Sequence, residues 1–217
     1  MSGREVPVFP LGSVLLPGQL LPLHVFEPRY RVMMFDLRDA DPAEFAVVLI
    51  ERGHEVGGGE VRSDVGCLAR VLESEELADG RHLVVSVGTD RVRVQQWLDD
   101  DPYPRALVAV DPDEPWPDAA DDLGRLQELT AGARRLGALA AELGAPPWPP
   151  ELRLDDDPAG RLWQLALLTP LGTLDRQRLL ANRSPAARME ALSAMVQEQQ
   201  ELLEARLRWG DGPPPGA

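Results

Sequence analysis

Lysine is missing from this chain: all 22 of its basic residues are arginine. The absence excludes a Walker-A lysine, a Schiff-base lysine and a Ser-Lys catalytic dyad, each of which needs the primary amine. Cysteine is nearly missing too. Cys67 stands alone, so no internal disulfide can form and no cysteine-based zinc site can close. Such a chain suits a reducing cytosol, and the expected location is cytoplasmic. Aromatic residues make up only 5% of the sequence, too few for a base-stacking surface. Long apolar runs are absent as well: Val14–Phe26 is broken by Pro17, Gly18, Gln19, Pro22 and His24. Nothing approaches the ~20 apolar residues that cross a bilayer, so no membrane partner is expected. Met1–Pro10 lacks the basic segment and apolar run of a signal peptide.

What is abundant is acid. The 217 residues carry 36 acidic side chains and a formal net charge of −14. That field repels a phosphate backbone, so nucleic acid is not an expected partner. At 44% hydrophobic and 27% charged, the chain has the composition of a soluble globular protein. Its length fits one large domain, or one domain with a helical appendage.

Two halves differ in periodicity. Up to about Val110 the apolar residues come in short β-rich bursts: Val6–Phe9, Leu20–Phe26, Phe45–Ile50, Cys67–Leu72, Leu83–Val87, Val92–Trp97 and Ala106–Val110. Turn signals separate them at Pro17-Gly18, Gly57–Gly59, Asp79-Gly80, Gly88 and Asp99–Pro104. Asp79-Gly80 is a hairpin signal, because that pair tolerates the positive φ of a tight turn. One helix interrupts the strands: Pro28 suits a first turn, and Tyr30, Met33, Met34 and Leu37 recur at helical spacing. The expected fold class is α+β, with a mostly antiparallel β barrel or sandwich over residues 5–111.

An acidic, proline-broken connector is expected over residues 112–122 and helices over 123–209. Leu123, Leu126, Leu129, Ala133, Leu136, Ala140 and Leu143 form one helical face. Asp157-Pro158 predicts an N-cap followed by a first-turn proline. Leu174–Asn182 predicts a short helix. Ser184-Pro185 opens the longest, with Met189, Leu192, Val196, Leu203 and Leu207 facing the core. Residues 210–217, rich in Gly and Pro, are expected to be a frayed tail.

Chemical constellations are sparse. His24, His54 and His82 share no metal-ligand spacing, and His24 sits among leucines where a hydrogen-bonded structural role is expected. Asp99–Asp101 and Asp155–Asp157 lack an EF-hand pattern and read as turn and helix-start charges. No metal and no cofactor are expected. Ser86 lacks the first glycine of a nucleophile elbow and reads as a strand residue; Cys67 reads as a buried thiol. Gly57–Gly59 reads as a hairpin loop rather than a phosphate cradle. Arg91, Arg93 and Arg105 could share a sheet face, but neighbouring carboxylates are their expected partners.

The stretch Pro10–Leu23 carries too many leucines for a solvated loop, while its prolines keep it from regular helix or central strand. Two accounts stand. The leucines plug one end of the barrel, or some remain exposed as an apolar patch for a partner.

Val6-Pro7-Val8-Phe9-Pro10-Leu11, Leu16-Pro17-Gly18 and Leu21-Pro22-Leu23-His24-Val25-Phe26-Glu27-Pro28-Arg29-Tyr30 resemble the opening of the Lon protease N-terminal, substrate-binding domain family, most closely its stand-alone form. Phe45–Ile50, Glu55-Val56-Gly57, Gly66–Val71, Asp79-Gly80-Arg81 and Gly88–Val94 continue the resemblance in order. Cys67 and Val92 depart from it, standing where Thr and Phe are common. The resemblance implies a PUA-like β pseudo-barrel followed by a C-terminal helical bundle, and a part in recognising unfolded or damaged proteins. Lon's ATPase and peptidase domains would lie downstream, and this sequence ends before either would begin.

On this basis the chain is expected to be a non-catalytic module that binds unfolded or hydrophobic polypeptide. The candidate contact residues are Leu15, Leu16, Leu20, Leu21, Phe26 and Tyr30, at a barrel end or beside the helices. Glu27, Pro28 and Arg29 have a structural alternative: Glu27 capping the helix, Arg29 tying it to the sheet. A second reading is an adaptor that docks on a protease or chaperone through Trp116 and Trp148, since proline-flanked tryptophan makes a stiff anchor.

Overall fold

The computed structural model of the chain describes residues 3–52, 61–117, 120–149 and 151–209. His54, Glu55, the Gly57–Gly59 loop, Pro150 and the 210–217 tail lie outside the described residues. The elements run β1 (Arg4–Leu11), β2 (Leu20–Val25), α1 (Pro28–Leu37), β3 (Glu44–Arg52), β4 (Val61–Glu76), β5 (His82–Trp97), β6 (Arg105–Val110), α2 (Ala120–Glu142), α3 (Pro158–Leu168), α4 (Thr173–Ala181) and α5 (Pro185–Trp209).

Six strands form one mixed sheet in the order β2-β5-β4-β3-β1-β6, and a further β5–β6 pairing closes five of them into a ring. The interior is filled by alternate residues, as a pleated strand requires: Val6 and Val8, Ala46 and Val48, Val92 and Val94, Ala106 and Val108. Against the expectation of a mostly antiparallel sheet, one pairing is parallel. β1 and β3 pair in parallel, Val8 opposite Ala46, because the chain returns through β2 and α1 instead of a tight hairpin.

A correction concerns Gly88. It is not a turn: the two apolar bursts around it are one continuous 16-residue strand, β5. A Cβ at Gly88 would collide with the carbonyl oxygen of Leu16. The glycine therefore lets the Pro10–Leu23 segment lie against the sheet, where Gly18 N–H donates to Gly88 O and Gly88 N–H donates to Gln19 O, both at 2.8 Å.

Asp79-Gly80 does turn the β4–β5 hairpin, with Gly80 at φ +76°. Helix α1 buries the expected Tyr30, Met33, Met34 and Leu37. Glu27 takes its N-cap position without a side-chain cap bond; its carboxylate instead accepts from Arg29 Nε at 3.2 Å. Asp157 caps α3 through a 2.9 Å bond from Gly160 N–H.

The chain divides into two compact units, Met1–Pro112 with Thr173–Arg183, and Asp113–Gly172 with Ser184–Ala217. The run 123–209, expected as one bundle, is therefore interrupted, since α4 belongs with the sheet. Three interactions hold it there. Leu179 and Leu180 are buried, and Gln177 Nε2 donates to Ser63 Oγ (2.8 Å) and Val65 O (3.0 Å). The buried Arg91 guanidinium, paired with Asp111, donates to the carbonyls of Leu180 (3.3 Å) and Asn182 (2.8 Å) at the helix C-terminal end.

In the other unit α2, α3 and α5 pack together around Leu126, Leu129, Leu136, Leu162, Leu165, Met189 and Leu192. Arg188, fully buried, forks onto Asp113 through two 2.6 Å bonds and covers the Trp163 ring at 3.9 Å. So Asp113 of the expected connector is a packed residue. Leu123, Leu143 and Leu207, read as core, are exposed, because they lie near helix ends beyond the packed stretch.

Candidate functional site

The Pro10–Leu23 leucines divide between the two accounts. Leu11, Val14, Leu15 and Leu16 are buried, and Leu16 has no exposed surface at all. Past Pro17-Gly18 the chain enters β2, whose one strand partner among the described residues is β5. There Leu20 is 60% exposed, Pro22 and His24 are exposed, and Leu21 and Leu23 are half-buried. Pro22 fits a sheet edge because it has no N–H to give a second neighbour. His24, expected as a hydrogen-bonded structural residue among leucines, is exposed, and its ring lies 6.2 Å from that of Phe26, itself 54% exposed.

Of the six expected contact residues, then, Leu20 and Phe26 are open to solvent and Leu21 is half-buried. Leu15, Leu16 and Tyr30 are packed inside. The Tyr30 ring stacks on Phe9 at 4.1 Å and lies under the Arg29 guanidinium at 4.6 Å.

The register shows what surrounds Leu20. Across three adjacent strands Pro22 stands opposite Val85 and Val85 opposite Glu73; one pair further on, His24 stands opposite Leu83 and Leu83 opposite Glu75. Leu20 stands opposite Val87, itself opposite Arg70. Side chains of one parity share a sheet face. These residues therefore form one outer face: an apolar lane two strands wide, with a column of carboxylates along β4. A groove of about 440 Å³ runs over Pro22, His24, Leu83, Val85, Glu73 and Glu75. The residues of the other parity, His82 and Glu76, line a separate groove of about 400 Å³ with Val32 and Phe35 of α1. Phe35 is half exposed and carries Arg38 over its ring at 3.8 Å.

Val32, Phe35, Leu83, Val85, Glu73 and Glu75 were not among the residues singled out from sequence. The signal for Leu83 and Val85 was present in the strand alternation, but only the β2–β5 register turns it into a surface.

The other candidates are placed as follows. Trp148 is half-buried and lies against α2, where a Cβ on Gly137 would stand 2.9 Å from its Nε1; it does not project as an anchor. Trp116 is half-buried. Arg93 pairs with Asp111 and Arg105 with Glu5. Ser86 is buried in mid-strand. The Cys67 thiol is pushed up to about 12, chiefly by burial. Cys67 stands opposite Arg91 and His82 opposite Glu76, so their register positions are nine residues apart along β4, on the order of 30 Å of strand. Among the described residues no group of three or more His, Cys, Asp or Glu side chains is placed to hold a metal ion. No helix among them is long and apolar enough to cross a membrane.

Solved structures place this architecture in a class, the Lon N-terminal domains. The Lon N-terminal domain protein from Xanthomonas campestris aligns with a TM-score of 0.63 at 29% identity, over 88% of this chain and 98% of that one. The N-terminal domain of the Mycobacterium avium complex Lon protease shares the fold, with a TM-score of 0.64 at 18% identity over 90% and 99% of the two chains. The model of the ATP-dependent protease La (Lon) substrate-binding domain matches residues 5–205, and the chain belongs to that family. Among full-length relatives, Lon protease 2 of Herpetosiphon aurantiacus is 27% identical over 92% of this chain and 24% of its own length. Lon protease of Escherichia coli K12 is 28% identical over 94% and 26%. The chain thus spans about a quarter of the length of the curated relatives it matches.

Proposed function

We propose that this protein receives polypeptide substrates by binding apolar segments of unfolded chains, without itself cutting them, on the outer face of β2 and β5. The observation that carries the reading is the run of solvent-exposed apolar side chains at Leu20, Pro22, Leu83 and Phe26, on and just beyond the edge strand β2 and its neighbour β5. An unfolded segment offers the apolar side chains that such a face lacks as neighbours. Each aliphatic anchor fully buried there contributes roughly 1.5–3 kcal/mol before ordering costs, so a few anchors give affinities on the order of micromolar. Kinship with the Lon substrate-binding domain supports delivery to a Lon-type protease as the destination.

Fluorescence anisotropy with a panel of labelled unfolded peptides tests the reading. Saturable binding is expected, weakened about tenfold or more in Leu20→Ser/Phe26→Ser, whose substitutions leave the interior untouched. A folded protein that binds none of the panel, or a double variant that binds as well as the parent, overturns it.

A further inference from the structure

The apolar lane has carboxylates on one side. Glu73 and Glu75 stand beside Val85 and Leu83 on the same face, both exposed, and among the described residues neither has an ion-pair partner. Arg70, next along that column, is already engaged by Glu44 at 3.1 Å. The remaining charge on the groove is therefore negative and fixed two residues apart on a strand. An extended polypeptide repeats its same-side residues every ~6.6–6.8 Å, the spacing that separates alternate residues of β4. A chain laid along the lane can set apolar side chains over Leu83 and Val85 and present two cations, two residues apart, to the two carboxylates.

We propose that this groove selects unfolded segments in which apolar residues are accompanied by lysine or arginine at alternate positions, with Glu73 and Glu75 receiving the cations. This rests on the polypeptide-binding reading above and adds the chemistry of its preferred clients. A second copy of this chain is a poorer occupant, because two such faces would bring four carboxylates together across a protein of net charge −14.

The test uses three labelled unfolded peptides of one apolar pattern, carrying lysine, glutamine or glutamate at the intervening positions. The lysine peptide is expected to bind about three- to tenfold more tightly than the glutamine peptide, and the glutamate peptide most weakly. Glu73→Gln/Glu75→Gln is expected to remove that ranking, so that the lysine, glutamine and glutamate peptides bind alike. A control pair with the same change in net charge on the other unit, Glu142→Gln/Glu151→Gln, retains it. Salt near 1 M, where the Debye length is ~3 Å, collapses the ranking toward the apolar baseline. Equal binding of all three peptides overturns the charge selection and leaves apolar recognition standing. The same effect from both variant pairs overturns it in favour of bulk charge. No binding of any peptide by folded protein overturns both, as does sedimentation as a dimer that Leu83→Ser abolishes, if the peptides leave that dimer intact.

Discussion

Leu16 and Leu20 are four residues apart in one proline-broken segment, yet the first is sealed and the second is 60% exposed. Leucine content does not separate them. What does is the strand each meets: the Leu16 backbone lies against Gly88, at a place where the sheet has no side chain, whereas Leu20 sits on an edge strand with one partner. The same composition thus supplies a plug for the interior and an exposed apolar edge. Only the register decides which is which.

Shortening each leucine gives the sharpest contrast. Leu16→Ala is expected to cost about 2–5 kcal/mol in urea unfolding, the range for a buried cavity, while Leu20→Ala stays within about 0.5 kcal/mol. Equal losses at both positions would break the comparison. Gly88→Ala comes next: a methyl directed at the Leu16 carbonyl must push the plug off the sheet, an expected cost of roughly 1–3 kcal/mol without loss of the overall circular dichroism spectrum. A neutral Gly88→Ala would mean that the glycine serves no close approach.

The smallest effect lies at Tyr103, where the sheet unit's interior meets α1. Burial first, and then its 2.9 Å hydrogen bond to Asp36, push its hydroxyl up to about 12 from the usual 10.0. The folded chain holds this proton more tightly than the unfolded chain does. Its contribution is therefore complete below pH 10 and is lost as the pH rises toward 12. The Cys67 thiol acts in the same direction from about pH 9, and with no lysine in the chain few other groups titrate there. Tyr103→Phe is expected to cost about 1 kcal/mol at neutral pH and to flatten the loss of stability between pH 10 and 12. An unchanged alkaline slope would place the effect elsewhere.

Local rules carried much of the fold. The helical spacing of Tyr30, Met33, Met34 and Leu37, the Asp79-Gly80 turn and the Asp157 cap each depend on residues within a turn or two of one another, and each stands where expected. Two of the misreadings share one cause, dependence on a distant partner. Gly88 looked like a break because Leu16 is not its neighbour in sequence, and α4 looked like part of a bundle because its partners Ser63, Val65 and Arg91 lie far from it in the chain. The candidate site was half legible for the same reason. Leu20 lies in the leucine-rich Pro10–Leu23 stretch and Phe26 just beyond it, whereas Glu73 and Glu75 join them only through two strand pairings.

The interrupted course of the chain bears on how the protein is made. The sheet unit ends at Pro112 and resumes only at Thr173, where α4 supplies Leu179, Leu180 and the carbonyls that Arg91 needs. A ribosome delivering this chain must therefore release everything from Asp113 to Gly172 before the first unit can be finished. Until then a buried cation has part of its cradle missing, so the sheet unit is completed only after α4 has been made.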